Sequence, residues 1–369
     1  SSSDGTLVVY EETDTSGIQQ IFLSNMQSGD TIQLTNSFSN PNIGGNGDSL
    51  RPRISADGST VVFHSMASDL VAGDENEHAD VFLYRTFTQQ LTRAQNFGTG
   101  EEPNNNSYYP DLNLDGSIIV FESDATNLQS TGVVNSGRQI FLWDLKTDGY
   151  GPIRCITNGN ADSKSATIDY SGNLVVFSSY ASNLLDVADV NGQEDVFLFK
   201  VDENKTYLAS LTALGMPADD SGFSTSPAIS GDGSTIAFVS SASNMVFGKG
   251  VSHIQVLSGG AGYSGNPTAI VSDLNGNGNG AILSLANAID DYGQVLESGI
   301  EIVSGGSGYR QPIVSIISDP TQPSPTEVAQ VKAKLSHPDG EVYAIQVADI
   351  LSVAGPSSFS SRISESNLG

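Results

Sequence analysis

Short apolar runs rich in Val, Ile and Phe recur along the chain, each bounded by Gly, Asn, Asp or Ser. That is the pattern of strands, not of amphipathic helices. The runs belong to a repeat. "PRISADGSTVVFHSMASDLV" (52–71) returns as "PDLNLDGSIIVFESDATNLQ" (110–129), "ATIDYSGNLVVFSSYASNLL" (166–185) and "PAISGDGSTIAFVSSASNMV" (227–246), and the chain opens inside a further copy, "SSSDGTLVVYEE". The residues before the turn glycine are Asp4, Asp57, Asp115, Ser171 and Asp232, at steps of 53, 58, 56 and 61 residues.

Each of the first four copies continues with a second strand-like block, "QIFLSN" at 20, "DVFLYR" at 80, "QIFLWD" at 139 and "DVFLFK" at 195, and a third ending in "IQLT", "QQLT", "RCIT" or "ASLT". Asp-Gly between two runs fits a two-residue turn that needs positive φ. One copy therefore reads as a four-stranded antiparallel unit, and five such units predict an all-β fold, a β-propeller with one blade per repeat. The block P-x-I-S-x-D-G-S-x-[VI]-[VA]-F-x-S resembles the blade signature of TolB-type propellers, over about residues 1–248.

The tail "SSRISESN" (360–367) lines up with "RPRISADG" (51–58), the strand that the N-terminal copy lacks. Either it completes the first blade and closes a five-bladed ring, or it begins a sixth blade of a longer chain. The chain opens on Ser1, as a processed chain or a fragment would. The last copy is interrupted: "IQVLSGGAGYSGNPTAIV" (254–271) is echoed by "IEIVSGGSGYRQPIVSII" (300–317), with Gly259 and Gly305 46 residues apart. Alternating stretches and Gly-Gly turns predict a small all-β module. The expected organisation is propeller blades over 1–249, an inserted module over 250–338, and a return to the propeller over 339–369. The Gly-Gly-x-Gly-Tyr block resembles small repeated modules of large bacterial surface proteins and marine phage virion proteins.

Charge narrows the partners. With 42 acidic against 15 basic residues the formal charge is −27. Nucleic acid needs Lys and Arg to neutralise phosphates, and an anionic membrane surface asks for the same. No apolar run is long enough to cross a bilayer as a helix. The single cysteine, Cys155, excludes an internal disulfide. Abundant Ser, Asn, Thr and Gly with few basic residues points to an extracellular, cell-surface or virion location ahead of the periplasm.

Candidate chemistry is sparse. Asp111 to Glu122 spells a calcium-loop pattern, but the repeat exposes it as strand and turn, without the flanking helices an EF-hand needs. "GAGYSG" (260–265) spells a dinucleotide fingerprint without a following helix. Two equivalent loops are better candidates: Asp74, Asn76 and Asp80, and Asp189, Asn191 and Asp195, place oxygen ligands as calcium prefers. Gln20 and Gln139 at the matching positions argue for turn-bonding residues instead. The four histidines, His64, His78, His253 and His337, have no metal-ligand spacing. No G-x-S-x-G elbow appears, so the hydrolase that accompanies a propeller in prolyl peptidases is missing. Tyr108, Tyr109, Tyr263 and Tyr309, in aromatic-bearing loops, are candidates for stacking on a sugar ring. The tetrads at 67–70, 125–128, 181–184 and 242–245 recur in four copies and are expected to serve turns and packing. These features point to a non-enzymatic extracellular or virion-surface binding protein, meeting a protein or glycan on its loop faces, with calcium as candidate cofactor and assembly into a larger surface structure. The alternatives are a propeller-type polysaccharide lyase, a propeller domain of a larger enzyme, and a periplasmic TolB-like adaptor.

Overall fold

The computed structural model describes residues 1–129, 137–146, 151–185, 192–211, 222–242, 251–274, 278–307, 309, 312–335 and 341–353. The first sheet holds β1 (Leu7–Thr13), β2 (Gln19–Asn25) and β3 (Thr31–Gln33). The second holds β4 (Ser49–Ile54), β5 (Thr60–Ser65), β6 (Asp80–Arg85) and β7 (Gln90–Arg93). A third follows with β8 (Ser107–Leu112), β9 (Ile118–Ser123), β10 (Gln139–Asp144) and β11 (Ile153–Cys155). The fourth has β12 (Ser163–Ile168), β13 (Leu174–Ser179), β14 (Asp195–Lys200) and β15 (Lys205–Leu208). The fifth begins with β16 (Ser224–Ile229) and β17 (Thr235–Ser240).

The chain then builds β18 (Val251–Ser258), β19 (Thr268–Asp273), β20 (Asn279–Ser284), β21 (Glu301–Ser307), β22 (Pro312–Ile317) and β23 (Gln330–Leu335). After them β24 (Glu341–Gln346) takes its place beside β17, followed by the short helix α1 (Val347–Val353). Two compact units result: Ser1–Ser210, Ser224–Val239 and Val342–Gly369 form one, Leu211–Phe223 and Ser240–Glu341 the other. The fold is all-β, a propeller of antiparallel blades in the first unit.

The second strand of each blade explains the uninterrupted apolar runs. β5 and β9 are buried at all six positions, because neighbouring blades cover both faces. Val61 and Phe63 pack towards the first sheet with Ile21 and Leu23, while Val62 packs towards the third with Ile119 and Phe121. At the heart of each of the first four blades two rings stand opposite across the strand pair: Tyr10 and Phe22, Phe63 and Phe82, Phe121 and Phe141, Phe177 and Phe197. All four are stacked at 5.6–5.8 Å. Each such pair adds roughly 0.5–1.5 kcal/mol beyond its area burial.

The Asp-Gly turns differ from the expected two-residue type. Ser55 N–H donates to Thr60 O, enclosing four residues, and Asn113 with Ile118 and Ser230 with Thr235 do the same. Only the glycine is left-handed, at φ +73° for Gly58 and +71° for Gly233. The aspartate caps the turn: Asp57 Oδ1 accepts from Ser59 N–H at 2.9 Å and from Ser55 Oγ at 2.6 Å.

The recurring tetrads close the blades. Ala67, Ala125, Ala181 and Ala242 are buried, and each N–H donates to a serine Oγ two residues earlier. An asparagine ahead of the first strand clasps the following pair: Asn104 Oδ1 accepts from Thr126 N–H while Asn104 N–H donates to Asn127 Oδ1. Asn160 repeats the clasp on Ser182 and Asn183.

In the second unit three antiparallel ribbons, β18 with β23, β19 with β22 and β20 with β21, enclose Ile254, Leu283, Val295, Val314 and Ile316. The Gly-Gly-x-Gly-Tyr blocks supply two equivalent anchors, Tyr263 and Tyr309, in that core. Gly260 and Gly306 both sit at φ +64°, close against backbone that a Cβ would strike.

Candidate functional site

The first strands of successive blades touch one another, β4 with β8 and β8 with β12. Each carries the same irregularity. The register of β4, β8 and β12 against its neighbour slips after the second residue, so that two residues oppose one. The first residue of each bulge is left-handed without being glycine: Arg51 at φ 58°, Tyr109 at 51° and Ser165 at 57°, with Ser226 at 52° in the fifth blade. Proline follows at 52, 110 and 227, where a bulge needs no ladder N–H.

Carboxylates from the preceding blade hold these bulges. Glu11 Oε1 accepts from Arg51 N–H at 2.6 Å, and Glu122 Oε1 accepts from Ser165 N–H at 2.7 Å. At the matching position in the second blade stands His64, whose ring meets Tyr108 and Tyr109 edge-on at 5.7 and 5.4 Å. Burial and the nearby Arg51 charge hold His64 down to about 4, so the ring is neutral at pH 7.

A cavity of about 540 Å³ opens against the three bulges, within the usual range of small-ligand sites. Its wall includes Arg51, Arg53, Arg138 and Lys164, four of the chain's 15 basic residues, with Tyr109, Asp111 and Glu122. Arg53 lies 3.6 Å from Asp111, Arg138 3.2 Å from Glu122 and 3.4 Å from Asp124, and Lys164 3.3 Å from Glu194. The Arg138 guanidinium also covers the Tyr108 ring at 4.9 Å, and Arg51 lies 5.9 Å from the centre of Tyr109. Burial raises the pKa of Asp111 and of Glu122, against the opposing pull of the arginines.

The sequence candidates separate here. Tyr109, 45% exposed, lines the cavity, and Tyr108 stands half-buried beside it. Tyr263 and Tyr309 do not serve as stacking platforms, because both rings are buried core. Their hydroxyls accept from Ala329 N–H and Ala281 N–H at 3.0 and 3.1 Å. Asp74, Asn76 and Asp80 do come together, but around Arg93. Its guanidinium lies 2.7 Å from Asp74, 3.4 Å from Asp80 and 3.1 Å from Glu102, at 5% exposure. A positive charge thus already stands where a calcium ion was expected. Asn76 bonds Asp80 and Pro103 O. Burial, ahead of the lowering by Arg93, pushes Asp80 up to about 7.

Asp195 is buried and accepts from Ser210 Oγ at 2.6 Å. Gln20 and Gln139 at the same blade position accept from Thr35 and Thr157 hydroxyls. This position therefore carries a buried tether in each of these blades. Asp189, Asn191, His337 and the tail at 360–367 lie outside the described residues. Among the described residues no three His, Cys, Asp or Glu side chains are grouped as metal ligands. Cys155 is half-buried, and burial raises its pKa.

The four cavity cations were missed from sequence. A usable signal was present for Arg51, Arg53 and Lys164: within an otherwise constant repeat, the second, third and fifth residues of the first strand change from blade to blade. They read Leu50, Arg51 and Arg53, then Tyr108, Tyr109 and Asp111, then Lys164, Ser165 and Thr167. A site built once shows itself as departures from the repeat.

No protein-family profile matches the chain, and no curated protein does. Solved structures do match, at low identity. TolB from Acinetobacter baumannii is 17% identical with a TM-score of 0.39, covering 65% of this chain and 50% of that one. An oligogalacturonate lyase in complex with manganese is 13% identical with a TM-score of 0.42, covering 91% and 88%. The β-propeller domain of the trilobed protease from Pyrococcus furiosus is 14% identical with a TM-score of 0.40, covering 64% and 61%. The chain spans half the length of the TolB structure it matches.

Proposed function

We propose that this chain is a non-enzymatic binding component of an extracellular or virion surface, with the propeller as the interaction platform and the Gly-Gly-x-Gly-Tyr module as an appended β unit. The ligand sits in the cavity formed by the bulges of β4, β8 and β12. One observation carries the reading: the polar groups of that wall are held by neighbours in the fold. Glu122 is committed to Ser165 N–H and Arg138, Asp111 to Arg53 and Ile168 N–H, and Lys164 to Glu194. Preorganised groups of this kind suit recognition, which gains when the site pays little to order itself. The net charge of −27 and the scarcity of lysine and arginine support a solvent-facing life in salty surroundings.

A second reading keeps a foothold in the raised pKa values of Asp111 and Glu122, since a lyase needs a proton acceptor near its substrate. One experiment separates the two. Maltotriose, tri-galacturonate, tri-glutamate, tri-glutamine and tri-lysine are titrated calorimetrically, and each probe is recovered for mass spectrometry; only the uronide carries the acidic proton and glycosidic leaving group that a lyase eliminates. The binding reading expects one-to-one binding of a probe that is recovered intact. It also expects affinity to fall about tenfold or more in Tyr109→Asn, which removes the ring but tolerates the left-handed backbone. A cleaved probe would move the assignment to the lyase, and binding indifferent to Tyr109→Asn would take the site away from this cavity.

A further inference from the structure

We infer that the cavity against the three bulges is an anion site whose ligand is a small molecule bearing carboxylate groups; the inference rests on the reading of this cavity as the binding site. The chain is poor in cations, yet four of its 15 line this one wall. Among the described residues only two carboxylates, Asp111 and Glu122, share the wall with them. The remaining acids stand off it: Asp124 braces Arg138, Glu194 braces Lys164, and Glu11 grips the backbone N–H of Arg51. Such a layer fixes each cation in place while leaving the void lined mainly by positive charge.

Arg51 is the reader. Among the described residues its guanidinium forms no ion pair with a carboxylate, and its nearest aromatic partner is Tyr109 on the same wall. The bulge sets its direction, because the left-handed backbone at φ 58° turns the side chain out of the strand's regular alternation. Arginine offers a carboxylate two parallel N–H donors, and Lys164 offers a second point charge. The ring of Tyr109 beside them gives the ligand's carbon skeleton an apolar face.

Carboxylates reach such a site on acidic peptides or on acidic sugars, and paired probes distinguish them. Binding of tri-glutamate is compared with tri-glutamine, and of glucuronate with glucose, at about 0.05 M and about 0.5 M NaCl. The acidic member of at least one pair is expected to bind about tenfold or more tightly than its neutral partner, and to weaken with salt. The pair that shows the difference names the source. Arg51→Asn, which suits the left-handed backbone, is expected to abolish the difference, and Arg51→Lys to restore part of it. An unchanged near-ultraviolet signal from buried Trp143 shows that each variant is folded. Neutral and acidic partners binding equally, with both weakened by Tyr109→Asn, would overturn the anion class and leave the binding site standing. Binding that responds to neither Tyr109→Asn nor Arg51→Asn would overturn both.

Discussion

His64 shows how one residue can break a repeat and leave a measurable trace. Glu11 and Glu122 occupy its position in other blades and hold a bulge N–H, whereas His64 is 5% exposed against two tyrosines. Its folded pKa of about 4 lies below the usual 6.5, so folding favours the neutral ring. Above pH 6.5 both states are neutral and nothing is lost. As pH falls from 6.5 towards 4 the unfolded chain takes up a proton that the folded one refuses, and stability drops. The full loss is about 3 kcal/mol. In denaturant titrations across that window, His64→Gln is expected to flatten this part of the pH slope. An identical slope in the variant would mean that the ring is protonated in the folded state.

At the scale of the element, the last strand of the second blade carries a register decision invisible in the sequence. Aligned on "QLT", Gln90 should match Gln33 and Cys155. In the structure Phe82 pairs with Arg93, where Phe22 pairs with Gln33 and Phe141 with Cys155. The strand has moved by three residues, and an odd shift exchanges its faces. That brings Arg93 into the interior, where Asp74, Asp80 and Glu102 surround it. Arg93→Leu leaves these acids buried without their cation and is expected to cost about 3–5 kcal/mol. Adding Asp80→Gln, the residue type of the first and third blades, is expected to recover a substantial part. Chemical denaturation of the two single variants and the double variant measures the coupling; additive losses would show that Asp80 does not depend on Arg93. The bulges of β4, β8 and β12 escaped prediction for a related reason. Tyr109 and Ser165 have no intrinsic preference for left-handed backbone, and the bond from Glu122 that holds Ser165 comes from 43 residues away.

For the whole molecule, the larger segment of the second unit, Ser240–Glu341, is inserted between β17 and β24, which lie side by side in one sheet. Insertions at such junctions are tolerated when the host's core does not depend on them. Replacing residues 251–335 by a short Gly-Ser linker is therefore expected to leave the first unit folded. The signal of Trp143, buried in the third blade among Phe121, Phe141 and Leu145, reports it. Loss of that signal with loss of cooperative unfolding would make the second unit part of the propeller's stability. The sequence by itself determined the all-β class, the strand blocks, the turn glycines and the count of repeats, because each is written in spacings of a few residues that every copy repeats. Only the tertiary structure decided that Tyr263 and Tyr309 are core, that Arg93 fills the acidic loop, and that Arg51, Arg138 and Lys164 share a wall. Those outcomes depend on which blades stand side by side and in what register, and no local pattern encodes a wall shared by residues 87 or 113 positions apart, the separations of Arg51 from Arg138 and from Lys164.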